Sequence, residues 1–204
     1  MDQQFVVYGI DFDRSKFETI KNDPEYAAKP HGGLWSSPVI SDHSWYDWCK
    51  GEDFRTESLN KSFQFKLTKS ARVLYINSYR TLLTLPLTFS KYFIDLLERK
   101  IDTSASSMPL TFAEYDELIA SLNDPATAAE TFWKCVESGR VSLGPTGIPL
   151  DFEKLAKEYD ALFLDFSNEV DNEDWTLGGN NLRTYMYFYD VDTLLVFNPD
   201  ILVL

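Results

Sequence analysis

Two short segments of the sequence carry residue types that can bind a ligand or take part in chemistry. The first is KPHGGLWSSP at residues 29–38, in which two glycines precede an aromatic residue and two hydroxyls. Glycine allows a ligand to approach the backbone closely, or allows a positive φ. In one interpretation, a ligand ring stacks on Trp35 while a ribose or phosphate contacts Ser36 or Ser37. In the other, the segment is a tight turn into an edge strand, and Trp35 anchors the core.

The second segment is YDVDTLLVFNPDILV at residues 189–203, where Asp190 and Asp192 precede an apolar run. In an extended strand, residues two apart point to the same face. Two carboxylates on one face raise each other's proton affinity unless a ligand or cation bridges them. The pair is therefore interpreted either as an acidic turn in an acidic protein or as a carboxylate site. Such a site would hold a ribose hydroxyl or stabilise a developing positive charge.

Motifs of several other site classes are absent from the sequence. It contains no GxGxxG, GxxxxGK, HExxH or GxSxG pattern, which removes the usual signals for dinucleotide-fold, P-loop, zinc-protease and serine-hydrolase sites. The two histidines and two cysteines show no metal-ligand spacing, so no metal site is predicted.

The charge balance bears on partners and location. The net charge is -13, from 32 acidic and 19 basic residues. A surface of that sign repels phosphate backbones, so neither nucleic acid nor an anionic membrane is expected as a partner. A basic protein partner and simple solubility are the two interpretations left open. The start of the chain, MDQQFVVYGIDFDRS, lacks the pattern of a signal peptide, which favours a cytoplasmic location with reduced thiols.

Hydrophobic periodicity predicts an α+β fold with a mainly antiparallel β core and a helical insertion. Alternating or continuous apolar runs predict strands, all in one core, at residues 5–10, 34–36, 63–67, 71–76, 161–165 and 194–197. The spacer between the third and fourth of these is too short for a helix, so those two are predicted to pair antiparallel. Apolar residues three or four apart predict helices through residues 79–139. The chain is thus interpreted as a single domain, 1–204, with its β core from 1–77 and 150–204.

Capping patterns add three predicted helix starts. Ser15 and Thr111 each precede a glutamate at capping-box spacing. Ser44 is placed to cap a helix in which Trp45 and Trp48 share one face. These two tryptophans are predicted to anchor the core and not to contact a ligand.

The order of these parts resembles the ADP-ribosyltransferase superfamily. The resemblance rests on GLWSSP at residues 33–38, followed by a Trp-rich helix, and on DVDTLLVFNP at residues 190–199. It covers the β-rich ends, about 1–77 and 150–204, and leaves the helical block aside. It implies a split β core that binds NAD in a cleft. At the first-strand position where the family has His or Arg, this sequence offers Tyr8 and Gly9.

The resemblance also implies roles for individual residues. Asp192, with Asp190, would be catalytic, and Asp192 would hold a ribose hydroxyl while an oxocarbenium-like charge develops. The implied NAD contacts are Tyr8, Gly33, Trp35, Ser36 and Ser37. The expected function is an NAD-binding ADP-ribosyltransferase or NAD glycohydrolase-like enzyme. The alternative is a non-catalytic acidic protein, of phage or mobile-element origin, that binds a macromolecular partner. The enzymatic interpretation predicts that Trp35, Ser36, Ser37 and Asp192 converge on one concave surface.

Overall fold

The computed structural model describes residues 3–26, 29–103, 110–141, 147–165, 172–178, 180–182 and 191–204. These residues form a mixed α/β structure with a curled, mostly antiparallel sheet. The strands are β1 (Gln4–Tyr8), β2 (Leu34–Pro38), β3 (Ser62–Leu67), β4 (Val73–Ile76), β5 (Ala161–Leu164), β6 (Thr176–Leu177), β7 (Asn180–Asn181), β8 (Thr193–Val196) and β9 (Leu202–Val203). The described helices are α1 (Trp45–Gly51), α2 (Tyr79–Leu83), α3 (Lys91–Glu98), α4 (Phe112–Asn123), α5 (Ala128–Glu137) and α6 (Phe152–Glu158).

Seven strands form the main sheet, in the order β4-β5-β8-β2-β1-β3-β9. All six strands predicted from periodicity belong to it, and that prediction is confirmed. The pair β4–β5 is parallel, whereas the other neighbours in the sheet are antiparallel. The described part of the block 79–139 holds the four helices α2 to α5. None of the helices among the described residues is long and apolar enough to cross a bilayer.

The predicted antiparallel pairing of β3 with β4 is wrong. β3 pairs with β1 and β9, while β4 lies at the far end of the strand order beside β5. β3 and β4 therefore both pair with strands that are distant in sequence, and not with each other. A short spacer excludes a helix between two strands, but it does not oblige those strands to pair.

The short connection between β3 and β4 requires the sheet to curl. Residues 68–72 join the two strands and span at most about 22 Å when extended. In a flat sheet, strands at these two positions would lie about 24 Å apart. The ring centroids of Phe5 on β1 and Phe163 on β5 are only 5.9 Å apart, although two strands separate β1 from β5 in the sheet. The concave face therefore closes on itself and encloses its own side chains.

The two faces of the sheet consequently bury two different cores. On the concave side, alternate residues such as Phe5, Phe65 and Leu194 form one buried cluster. On the other side, Leu195 and its neighbours pack against the helices in a larger cluster. Alternation along β5 and β8 divides the residues of these two central strands between the two clusters.

The helix starts follow the predicted caps in two of three cases. Thr111 and Glu114 form the capping box of α4, and the Ser44 side chain accepts from the Asp47 N–H at the start of α1. The helix predicted from Ser15 does not form. Asp13 caps a single 3-10 turn there. The chain that follows pairs with the segment before β2, because the Gly33 N–H donates to the Glu18 carbonyl and Lys21 forms a bridge with His31.

Asp160 ties together the ends of three strands. Its carboxylate accepts hydrogen bonds from the backbone and side chain of Arg72, just before β4, and from Asn198, just after β8. Its carbonyl accepts from the N–H groups of Phe197 and Asn198. The Arg72 side chain is the main cause that lowers the pKa of Asp160 to about 2, and the Arg72 N–H and Asn198 lower it further.

We expect Asp160→Asn to lower the free energy of unfolding at pH 7 by about 1.5–3 kcal/mol, the range for hydrogen bonds to a charged group. The folded-state pKa lies below the unfolded value of about 3.9, so the wild-type contribution is present above about pH 4 and is lost as the pH falls toward about 2. Urea denaturation at a series of pH values between about pH 5 and pH 2 measures this loss. In Asp160→Asn, the loss of stability that comes from protonation of Asp160 at low pH should be absent.

Asp174→Asn is the matched control, because Asp174 pairs with Arg80 on the surface, where both side chains are more than half exposed. An exposed pair of this kind contributes about 0–1 kcal/mol. If both variants lose equal stability, the role assigned to Asp160 is wrong.

Candidate functional site

The site lies where two central strands of the sheet separate. β1 and β2 pair at Phe5↔Pro38 and Val6↔Ser37. Beyond that point β1 continues to Tyr8 alongside β3, while the earlier residues of β2 pair with β8. The two strands therefore diverge toward Tyr8 on one side and Leu34 on the other, and a cleft opens between them.

A cavity of about 450 Å³ occupies this cleft, a size that is ordinary for a small-molecule site. Three aromatic rings and two cationic side chains line it, together with hydroxyls and small residues. The aromatic and cationic residues are Tyr8, Trp35, Trp45, Lys29 and Arg55. The hydroxyl residues are Ser36, Ser37, Ser58 and Thr193. Among the described residues that line it, none is an Asp or Glu.

The two serines of β2 line the cavity as predicted, but their hydroxyl protons are already engaged. Ser36 Oγ donates to the Leu194 carbonyl at 3.0 Å. Ser37 Oγ donates to the Asp192 carbonyl at 3.2 Å and accepts from the Trp45 N–H at 3.1 Å. These bonds hold β2 against the chain that leads into β8 and fix the start of α1. A ligand can still use the remaining acceptor capacity of these oxygens.

Trp35 is half-buried, with one side against the large core cluster. The Lys29 ammonium lies 4.9 Å from the centroid of its ring. A cation over an indole face is a favourable contact. The arrangement places a positive charge and an aromatic surface side by side in the cleft.

Tyr8 ends β1 at the mouth of the cleft. Burial is the first cause that raises the pKa of its phenol, and the nearby Tyr46 and Asp47 raise it further. The Tyr8 hydroxyl therefore stays protonated at neutral pH and is able to donate a hydrogen bond to a ligand. A phenol in this state does not serve as a general base.

The carboxylate of Asp192 does not line this cavity, so the predicted convergence holds for Trp35, Ser36 and Ser37 but is wrong for Asp192. Asp192 is only 3% exposed, and its Oδ2 accepts from Ser41 Oγ at 2.5 Å. Its neighbours Val191 and Thr193 face the cleft instead. Alternation along an extended segment explains why the residue between them points elsewhere. Asp190 lies outside the described residues.

Gly33 serves the packing of the sheet and is not among the described residues that line the cleft. Its φ is +70°, and an added Cβ would lie 2.7 Å from Ile20 Cδ1, 2.8 Å from Leu195 Cδ1 and 2.9 Å from the Val196 carbonyl oxygen. This glycine lets β2 lie directly against β8 and thereby sets the position of Trp35.

The lining residues that sequence reasoning missed include both cationic side chains, Lys29 and Arg55, and the aromatic Trp45. Lys29 and Arg55 come from irregular segments, and Arg55 adopts a left-handed backbone with φ of +47°. Lys29 opens the segment KPHGGLWSSP, and its place there is the signal that could have found it. The prediction that Trp45 anchors the core is wrong, because this residue is half-buried and lines the cleft. Trp48 is half-buried as well, and the two rings stack at 5.0 Å between centroids.

The chain was compared with models of protein families, with curated proteins and with solved structures. No family model, curated protein or solved structure matches it.

We expect Gly33→Ala to lower the free energy of unfolding by about 2–4 kcal/mol, since it combines a left-handed φ with overpacking against β8. Gly51→Ala is the matched control, because a Cβ added at Gly51 would have nothing within 4 Å of it and the φ there is not positive. Chemical denaturation of both variants measures the difference. A Gly33→Ala variant as stable as the wild type would contradict the packing role.

Proposed function

We propose that the cleft between β1 and β2 binds NAD and that the chain is an ADP-ribosyltransferase-like or NAD glycohydrolase-like protein. The observation that carries this proposal is the cavity itself. It brings three aromatic rings and two cationic side chains together at the point where the sheet divides. The split of the sheet agrees with the core that the resemblance implies.

The lining suits a dinucleotide in its charge. The chain has a net charge of -13, yet this cavity presents Lys29 and Arg55 and, among its described lining residues, no carboxylate. A local reversal of charge favours an anionic ligand. Arg in particular matches the geometry of phosphate oxygens. A pyrophosphate is therefore a suitable partner for this part of the cleft.

The lining also suits a dinucleotide in its rings and hydroxyls. Trp45 offers an aromatic surface to a nicotinamide or adenine ring, and Trp35 offers a second one once Lys29 moves from its face toward the phosphates. Such stacking is favourable in offset geometry. The acceptor oxygens of Ser36 and Ser37, with the hydroxyls of two further lining residues, are suited to ribose. Each group matches a different chemical part of NAD.

Catalysis is assigned to Asp192, with Asp190, by the resemblance. For turnover, the Asp192 carboxylate has to leave Ser41 and turn toward the cleft that its neighbours line. The partly buried hydrogen bond between Ser41 and Asp192 favours a second candidate function, in which the protein binds its ligand or a macromolecular partner without turning NAD over.

We expect NAD to raise the melting temperature of the wild-type protein, because a ligand that binds only the folded state stabilises it. Arg55→Gln should weaken NAD binding about tenfold or more, since it removes a charge-assisted hydrogen bond of roughly 1.5–3 kcal/mol. Titration calorimetry with NAD, ADP-ribose and nicotinamide measures the affinities. Nicotinamide alone should bind both proteins equally, because it carries no phosphate.

Arg80→Gln is the matched control, because Arg80 pairs with Asp174 on the surface and does not line the cleft. If NAD neither shifts the melting temperature nor discriminates between these two variants, the NAD proposal fails. Release of nicotinamide from NAD, measured for wild type and for Asp192→Asn, then separates the two candidates. Turnover that depends on Asp192 supports the enzyme, whereas binding without turnover supports the second candidate.

A further inference from the structure

A second cavity, of about 470 Å³, adjoins the cleft and shares part of the lining that β1 and β2 provide. Residues 37–42 and 44–47 form most of its wall, and the end of β1 completes it. Val6, Tyr8, Ser37 and Trp45 line both cavities. The two therefore meet along one wall, although their other lining residues differ.

The charge of this second cavity is opposite to that of the cleft. Asp42 and Asp47 line it, and both are exposed. None of its described lining residues is a Lys or Arg. Asp47 is held in place because Ser44 Oγ donates to its Oδ2 at 2.5 Å. A cationic group that enters the cavity thus meets two carboxylates, one of which is already oriented.

Aromatic surface lies beside these carboxylates. The rings of Tyr8 and Tyr46 are 6.0 Å apart between centroids and tilted by 42°. The ammonium of Lys50 already lies 5.7 Å from the Tyr46 centroid. This contact within the chain shows that the ring accepts a cation at its face.

Exposed apolar side chains lie at the rim of the cavity. Ile40 is 90% exposed, and the neighbouring Val39 and Tyr46 are 38% and 42% exposed. All three line the cavity. Adjacent exposed apolar side chains rimmed by polar groups are typical of surfaces that bind another protein.

We propose that this surface binds a segment of another protein that presents an arginine side chain between apolar residues. The arginine would enter between Asp42, Asp47 and the tyrosine rings, and the apolar residues would cover Val39 and Ile40. A guanidinium suits the cavity better than an ammonium because it stacks on aromatic rings and pairs with carboxylates through two parallel hydrogen bonds. Nucleic acid is a poor occupant, since its phosphates would face two carboxylates.

The inference does not depend on NAD binding, because the two cavities differ in charge and the binding test contains no nucleotide. The probe is a short fluorescein-labelled peptide of leucine and glycine with a central arginine. Matched peptides carry lysine or citrulline at that position, and citrulline is the neutral isostere of arginine. Fluorescence anisotropy measures the dissociation constants.

We expect the arginine peptide to bind at least about tenfold more tightly than the citrulline peptide, and more tightly than the lysine peptide. Asp42→Asn and Asp47→Asn should each weaken the arginine peptide about fivefold or more, and the asparagine of Asp47→Asn keeps an acceptor for Ser44. Ile40→Ser should weaken all three peptides. Asp116→Asn is the control, because Asp116 is exposed on α4 and its replacement removes the same charge. This variant should bind all three peptides as the wild type does.

Several results would overturn the proposal. Equal affinity for the arginine and citrulline peptides, or no binding at millimolar peptide, would show that the cavity is not a site for a cationic side chain. Equal affinity for lysine would remove the assignment to arginine. An effect of Asp116→Asn as large as that of Asp47→Asn would show that net charge alone drives binding. Sedimentation that reveals a dimer abolished by Ile40→Ser would assign the surface to a second copy of the chain.

Discussion

The pairing of β1 with β2 is short, and the point at which it stops positions both cavities. β1 gives all five of its residues to β3, and β2 gives Leu34 to Ser36 to β8. With each other, the two strands share only the pairs Phe5↔Pro38 and Val6↔Ser37, beside which the Val39 N–H donates to the Gln4 carbonyl. Where the two strands diverge, β1 remains paired with β3 and β2 remains paired with β8. The cleft therefore opens without loss of those backbone hydrogen bonds.

Ser37 lies at the point where β1 and β2 separate. Its hydroxyl joins the Asp192 carbonyl on one side to the Trp45 N–H on the other, and its backbone lies in the last register pair with β1. The same residue thus positions the chain before β8, the start of α1 and the edge of both cavities. Its burial, at 3% exposure, is consistent with a structural role as well as a lining one.

The two cavities separate charge across a shared aromatic wall. Lys29 and Arg55 face the cleft, whereas Asp42 and Asp47 face its neighbour. Because the chain is strongly acidic, a cavity lined by cationic side chains differs in charge from the chain as a whole. The cleft is therefore the stronger indication of a specific ligand. The partly buried hydrogen bond between Asp192 and Ser41 joins two residues that are not among the described lining of the cleft, although both neighbours of Asp192 are.

The placing of Trp35, Ser36 and Ser37 at a cleft was implied by the resemblance, whereas local patterns in the sequence were enough to predict six of the seven strands of the main sheet and the helical character of the described part of 79–139. Alternation and capping suffice for such features, because they depend on residues close together in the chain. Only the tertiary structure decided three other features. They are the pairing of the strands, the position of Lys29 and Arg55 in the cleft, and the hydrogen bond of the Asp192 carboxylate with Ser41. These outcomes depend on contacts between distant segments, and on irregular backbone such as that of Arg55, for which no local periodicity exists.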